Sequence, residues 1–363
     1  MNEHEPPARA APSGTIFLTG GSGLLGTALL ESIRDDDVIA LHHRSPITRA
    51  GVETLRGDIR TPRLGLSEAD YEALAARIDV IIHSASITRF GVSDAKIIDT
   101  NVGGTREIVR LARKARARLI YISTAFVHPN AFDLSPASMY EESKRQAEAL
   151  VRALGDDCVI VRPSIIVGDS RTGRVAAYQG LHEVVGSMID RSLPVLPATP
   201  GMLCDFVAQD WVTDAIWSAA SHPRPAQELW VTSGTDALSV EACVAVAARI
   251  GESHGFRGAA PRIVSYDTIQ RLFIPVFLES LPSHLKRRFQ ANLKLARYMN
   301  QKAALPSSEA YLRTAFGLAV RETPEAVLVR NMERWCAHRP VPGVRSRHSS
   351  EDTGAGLLRI GAA

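Results

Sequence analysis

Tyr140 and Lys144 stand four residues apart, and the apolar spacing around them continues through Ala147, Leu150 and Val151. On a helix, that spacing puts both side chains on one face. A phenol with a pKa of about 10 is a poor acid or base at neutral pH. A neighbouring ammonium favours the phenolate and lowers that value. Tyr-x-x-x-Lys is therefore a sensible acid/base pair, although the same spacing also arises by chance on a helix surface. Two hydroxyls, Ser123 and Thr124, follow the apolar run Leu119-Ile120-Tyr121-Ile122. In an open α/β sheet, ligands bind beyond the carboxyl ends of strands, so hydroxyls placed there can touch a substrate.

These residues need a scaffold, and its anchor is Thr19-Gly20-Gly21-Ser22-Gly23-Leu24-Leu25-Gly26. A short β-like run, Thr15 to Leu18, precedes it, and a helical pattern through Leu24, Leu25, Ala28, Leu29 and Ile33 follows. Strand, glycine turn and helix are the context in which such a motif binds a dinucleotide. Gly20 permits the tight turn, Gly23 lets a pyrophosphate approach the backbone, and Gly26 lets helix and strand pack closely. The helix N-terminus adds free N–H groups and a positive dipole end.

A second strand, Val38 to Leu41, ends in His42-His43-Arg44-Ser45, with no acid between Val38 and Glu53. An acid here would bind the ribose 2′-OH of NAD, whereas an arginine suits the 2′-phosphate of NADP. Arg44 therefore points to NADP. A third strand over Val52 to Leu55 leads to Gly57-Asp58-Ile59, where Asp58 could meet an adenine amino group or simply cap a turn. A helix starts at Ser67, its N-cap, with Asp70 at the third position. The buried-strand run Val80-Ile81-Ile82 ends in His83-Ser84-Ala85-Ser86, small residues that would let the backbone lie against a cofactor. His83 reads as structural. A long helix is expected over Ser93 to Ala115; Asn101 within it is suspect, because an Asn in a helix interior needs a partner. The cations from Arg110 to Arg118 read as the solvated end of that helix.

A sixth strand, Val159 to Val161, precedes Arg162-Pro163-Ser164-Ile165. Beyond it the alternation loosens; a strand near Leu229 to Val231 and a helix near Ser239 to Ile250 return to the pattern. From about Pro261 the chain reads as mainly helical. The stretches Ile269 to Leu281 and Leu285 to Met299 suit core packing first, an apolar substrate cleft second and a membrane surface last. The expected fold is a doubly wound parallel α/β sheet of the Rossmann type, with a smaller, mainly helical C-terminal substrate region. The expected organisation is a disordered tail at 1–13, a nucleotide domain at 14–168, a substrate region at 169–338 with 205–250 returning to the sheet, and a disordered tail at 339–363.

Composition excludes several classes. Hydrophobic residues make up 45% and charged residues 22%, as in ordinary globular proteins. A net charge of +3 is too small for a nucleic-acid footprint. No apolar run reaches bilayer length, and residues 1–13 lack the apolar stretch of a signal peptide. The four cysteines form no C-x-x-C pair, so buried thiols in a reducing, cytoplasmic setting are expected, with no metal site.

Over about Gly14 to Ile250 the chain resembles the extended short-chain dehydrogenase/reductase family. The resemblance rests on Thr19 to Gly26, Gly57-Asp58, Asn101-Val102-x-Gly104-Thr105, Ser123-Thr124, Tyr140-x-x-x-Lys144 and Arg162-Pro163. Within the family it is most similar to fatty acyl-CoA reductases and carrier-protein thioester reductase domains. That finer likeness rests on Gly57 to Ser67, Ser123 to Val127 and Arg162 to Gly173. One departure is the fifteen residues between Thr124 and Tyr140, a short loop beside the substrate. The resemblance implies catalysis by Thr124, Tyr140 and Lys144. It implies NADP(H) bound by Gly20, Ser22, Gly23, Leu24, Leu25, Gly26, Arg44, Asp58, Ile59, Ser84, Ala85, Ser86, Asn101, Tyr140, Lys144, Pro163 and Ile165. The substrate would be an acyl thioester on CoA or a separate carrier protein, reduced to aldehyde or alcohol. Other readings stay open: a sugar-nucleotide epimerase or dehydratase, a sterol-type or carbonyl dehydrogenase, or a non-catalytic NADP-binding regulator. The helices near Asn101 and Tyr140 form a dimer surface in many relatives, which leaves a dimer open here.

Overall fold

Alternating burial along the strands divides the core into two faces. On β1 (Thr15–Thr19), Ile16 and Leu18 pack with Leu25, Leu29, Trp211 and Ile216, whereas Phe17 packs with Tyr71, Leu74, Ile108 and Ala147. A period of two in a strand buried on both sides gives this split. The other strands are β2 (Val38–His42), β3 (Val52–Arg56), β4 (Ile78–His83), β5 (Arg118–Ile122), β6 (Cys158–Pro163), β7 (Ile165–Val167), β8 (Val195–Pro197), β9 (Leu203–Cys204), β10 (Phe206–Ala208), β11 (Glu228–Val231), β12 (Leu238–Ser239) and β13 (Arg262–Val264). The computed structural model describes residues 14–338, apart from 34–36, 89–90, 130, 132–137 and most of 266–294.

Seven strands form one parallel sheet in the order β11-β6-β5-β4-β1-β2-β3. The order reverses between β1 and β4, which opens a crevice at their carboxyl ends. Helices α1 (Leu24–Glu31) and α7 (Gln209–Ser221) cover one face. Helices α2 (Glu68–Arg77), α4 (Gly104–Ala115) and α5 (Met139–Arg152) cover the other. A second core gathers α6 (Leu181–Ile189), α8 (Val240–Ser253) and α10 (Pro324–Ala337) around Val185, Met188, Cys243 and Trp335. Helix α9 (Glu309–Phe316) closes against α7. The chain returns to the main sheet through β11, whose Leu229 and Val231 are fully buried. All four cysteines are free and buried. Among the described residues, no helix is long and apolar enough to cross a membrane.

Two local expectations change. The expected helix over Ser93 to Ala115 is α3 (Asp94–Ile98), one π-helical turn over Asp99–Gly103, then α4. The widened turn holds Asn101. The basic run does not all lie on the helix end: Arg116 is left-handed (φ +54°) and stops it, and Arg118 opens β5 and donates to the carbonyls of His222 and Pro223. The stretch Ile269 to Leu281 and the start of Leu285 to Met299 lie outside the described residues for the most part.

Candidate active site

The glycine turn is built from backbone packed too tightly for side chains. Gly20 has φ +79°, and a Cβ there would stand 2.6 Å from the Ala85 nitrogen. A Cβ on Gly26 would stand 2.0 Å from the Gly20 carbonyl oxygen. The Gly23 N–H donates to that same oxygen at 3.0 Å. Gly23 is the N-cap of α1, with no side-chain cap and no acid in the first turn. The first N–H groups of the helix are thus left for an outside acceptor. Ser22 is exposed on the turn, Leu24 half-buried and Leu25 buried. An uncapped helix start beside backbone that admits no Cβ fits a dinucleotide pyrophosphate.

At the end of β2 the charges sort themselves. Asp58 accepts from Arg60 through both carboxylate oxygens, the shorter contact being 2.6 Å, and His43 lies 3.5 Å away. Hydrogen bonding from Arg60 holds the Asp58 carboxyl below its ordinary pKa. This carboxylate, read as an adenine contact or a turn cap, is engaged by Arg60. Ile59 is buried in the core beside Gly104 rather than open to the crevice. Arg44 is exposed and has no ion pair among the described residues.

Beyond β4, Asn101 organises the loop. Its Oδ1 accepts from the Ile87 N–H at 2.7 Å and from the Ser86 hydroxyl at 3.3 Å. Its Nδ2 donates to the Ile87 carbonyl at 3.1 Å and to the Ser143 hydroxyl at 2.9 Å. Asn101 is 1% exposed, so it braces the loop against α5 from behind; it is not part of the cavity wall. His83 is buried between the hydroxyls of Thr19 (2.7 Å) and Thr105 (3.2 Å), and burial pushes its pKa down to about 3. It is a neutral structural group, as its sequence context implies.

Helix α5 carries Tyr140 and Lys144. It starts with a reciprocal capping box, Ser138 and Glu141. Tyr140 and Thr124, which follows the end of β5, line the same cavity. Spacing alone predicts that the Lys144 ammonium lowers the phenol pKa. Instead burial dominates both groups: it pushes Tyr140 up to about 12, against the opposing influence of the nearby Thr124 side chain, and Lys144 down to about 7. The Lys144 Nζ donates to the Ile122 carbonyl at 2.8 Å and lies 4.9 Å from the centre of the Tyr121 ring. Ser123 differs from its neighbour. Its hydroxyl donates to Glu148 at 2.6 Å, and Glu148 in turn holds the buried Arg162 guanidinium at 2.8 Å. Arg162 also pairs with Glu228 at 2.7 Å and stacks 4.5 Å from the Trp230 ring centre.

These groups meet in a cavity of about 570 Å³. Its wall includes Gly20, Gly23, Leu24, Leu25, Ser84, Ser86, Thr124, Tyr140, Lys144, Pro163 and Ile165. Ser22, Gly26, Arg44, Asp58, Ile59, Ala85 and Asn101 are not among its lining residues. A larger hollow of about 880 Å³, between α1, α7 and residues 315–324, holds none of the candidate residues. The far wall of the first cavity is apolar: Phe126, Leu181, Val184, Leu295, Tyr298 and Met299. Sequence reasoning missed the groups that hold this wall and the strand ends, namely Glu141, Glu148 and Tyr298. Ser138-x-x-Glu141 was readable as a capping box, and Glu148 lies one turn beyond Lys144 on the same face. No local signal marks Tyr298.

The sequence pattern of a family described as Male sterility protein, an NAD-binding group, matches residues 34–216. A polyketide synthase-nonribosomal peptide synthetase, ffsA of Aspergillus flavipes, is 35% identical over 133 residues, which is 34% of this chain and 3% of that protein. The chain spans only 3–5% of the length of the first such curated relatives. The terminal R domain of the myxalamid PKS-NRPS pathway superposes with a TM-score of 0.72 at 24% identity, covering 90% of this chain and 91% of that one. A thiolation-reductase di-domain of an archaeal non-ribosomal peptide synthetase gives 0.63 at 16% identity, covering 90% and 76%.

Proposed function

This chain belongs to the NAD-binding Male sterility protein family, and from that premise we propose that it is an NADPH-dependent reductase of an acyl thioester, presented on a carrier protein or CoA. The observation that carries the reading is the shared cavity: Thr124, Tyr140 and Lys144 stand on the wall that begins at the glycine turn. The relatives' names supply the substrate class, since they describe terminal reductase domains and a thiolation-reductase pair.

Bound NADPH supplies the hydride. The chain's own residues hold and protonate the substrate. The Thr124 and Tyr140 hydroxyls together form a two-donor seat for the thioester oxygen as it gains negative charge. Tyr140, kept protonated by burial at about 12, gives up its proton only to an oxyanion of comparable basicity. Lys144 shares the helix face with Tyr140 and is the one Lys or Arg among the described residues that line the cavity, so it would be the cation available to a bound nicotinamide ribose. Asn101 fixes Ser86 and Ile87, and the Ser123–Glu148–Arg162 chain fixes the end of β5. Collapse of the resulting hemithioacetal would give aldehyde and thiol; a second round, with a second NADPH, would give alcohol. Residues 14–168 would form the nucleotide-binding half, and 169–338 would contribute most of the substrate wall, with 205–250 returning to the sheet.

The test is NADPH consumption against a panel of acyl-CoAs and acyl-loaded carrier proteins, with Tyr140→Phe as control. Acyl-dependent oxidation that disappears in the variant supports the reading, and product analysis separates aldehyde from alcohol. NADPH binding without turnover on any thioester would overturn the substrate class.

A further inference from the structure

The buried carboxylate of Glu141 does more than cap a helix. Its side chain is fully buried, next in sequence to Tyr140. Oε2 accepts from the Ser138 N–H at 2.9 Å, which completes the capping box. The same oxygen pairs with the Arg297 guanidinium at 3.1 Å, and Oε1 accepts from the Tyr298 hydroxyl at 3.2 Å. Both partners come from the short segment that supplies Leu295, Tyr298 and Met299 to the cavity wall. Tyr298 then stacks on Phe126, 4.8 Å between ring centres in an edge-on arrangement, directly after Thr124 and Ala125. Downstream, the segment is tied to β9 by two backbone hydrogen bonds between Leu203 and Gln301, 2.8 and 3.0 Å. It is thus fixed at one end to the second core and at the other to the first turn of the helix that carries Tyr140.

We propose that Glu141 is a positioning residue for substrate: it clamps the apolar wall at Leu295–Met299 onto the start of α5, and so sets the distance between that wall and the Tyr140 hydroxyl. The proposal deepens the thioester reading by assigning the wall to the acyl group. A buried carboxylate needs its hydrogen-bond donors, so loss of either side loosens the wall rather than the nucleotide cradle on the opposite side. Two variants break the clamp conservatively. Glu141→Gln keeps an oxygen for the Ser138 N–H but removes the charge that holds Arg297. Tyr298→Phe keeps the ring against Phe126 but removes the hydroxyl. Ala149→Gly, at an exposed position of the same helix, weakens α5 without touching the clamp.

The experiment measures three quantities for each variant: KM for dodecanoyl-CoA, Kd for NADPH, and amide hydrogen exchange over residues 295–301. The clamp predicts a rise in KM of about tenfold for Glu141→Gln and Tyr298→Phe, with NADPH affinity unchanged. It also predicts faster exchange over 295–301 in those two variants and not in Ala149→Gly. If Ala149→Gly matches them, or if exchange is unchanged in all three, Glu141 is only a helix cap and the proposal is overturned. The exchange measurement reads the clamp directly, whatever the substrate. A wild-type enzyme idle on every thioester, yet showing the clamp pattern in exchange, would therefore sink the substrate class alone.

Discussion

The two sides of the cavity are made of different material. The nucleotide side is backbone: a Cβ on Gly20 would run into Ser84 and Ala85, one on Gly26 would run into the Gly20 carbonyl, and α1 begins uncapped at Gly23. The substrate side is side chains gathered from distant parts of the chain, with Phe126 after β5, Leu181 and Val184 on α6, and Tyr298 and Met299 far beyond. A backbone-built site depends on a few adjacent residues whose types are dictated by sterics. A side-chain site depends on which segments the fold brings together. The first is rigid and general; the second can change its occupant with little cost to the sheet.

The sharpest way to break the contrast is to put one methyl group on each side. Gly26→Ala places a Cβ 2.0 Å from the Gly20 carbonyl oxygen, backbone against backbone, with no flexible group to yield. We expect loss of measurable NADPH binding and destabilisation of at least about 3 kcal/mol, read by fluorescence titration and thermal melting. Val184→Ile, on the apolar side, should leave NADPH binding intact and shift only the acyl preference. A Gly26→Ala protein that binds NADPH normally would mean that the turn relaxes and is not sterically set. Tyr140→Phe comes next. It removes the proposed donor and should cost kcat about 10²- to 10⁴-fold, with NADPH Kd unchanged in equilibrium titration.

What the sequence made legible follows the same division. The glycine turn, the strand runs and Tyr140-x-x-x-Lys144 are local patterns, and the fold places them in one crevice. The doubly wound parallel sheet follows from apolar runs such as Val80 to Ile82, which are buried on both faces. Asn101 was visible as an anomaly, but its job was not: a π-helical turn turns it behind the Ser86 loop, and no spacing rule shows that. Asp58 reads equally as an adenine contact or a turn cap; its bonds to the Arg60 N–H and guanidinium suit the second, and spacing alone could not choose because the Arg60 side chain could equally point to solvent. The clamp was half visible, in Ser138-x-x-Glu141, but Arg297 and Tyr298 lie 156 and 157 residues downstream of Glu141. Spacing also gave the wrong sign for Tyr140, because i,i+4 proximity says nothing about burial, and burial outweighs the ammonium.

That sign error yields a further prediction. Lys144 has a folded-state pKa of about 7 and an unfolded one of about 10.4. Between those values the unfolded chain holds a proton that the folded chain has released, so wild-type stability rises with pH across the window. Below pH 7 the cost of the buried charge is complete. Lys144→Met removes the titration, so its advantage in thermal midpoint should be largest near pH 6.5, about 1–2 kcal/mol after loss of the Ile122 hydrogen bond is counted. The advantage should fade by pH 10. Turnover should be lost at every pH, a trade of activity for stability confined to the catalytic face. A variant less stable than wild type at pH 6.5 would show that Lys144 is held charged by its surroundings.

The smallest expected effect lies at the edge of the backbone-built side, where a side chain adds selectivity to a general cradle. Arg44 is exposed at the end of β2, without an ion pair among the described residues, whereas Arg60 is held by Asp58. On the proposed reading Arg44 meets the 2′-phosphate of NADPH. An exposed charge-assisted contact of this kind contributes about 1–2 kcal/mol, so Arg44→Ser should weaken NADPH about tenfold. NADH affinity should not change, and neither should the thermal midpoint, because Arg44 makes no ion pair among the described residues. The difference should shrink in high salt, since an exposed pair is screened. Equal loss for both nucleotides would move Arg44 away from the 2′-phosphate and hand cofactor choice to another group at the β2 end, with His43, 3.5 Å from Asp58, as the nearest candidate.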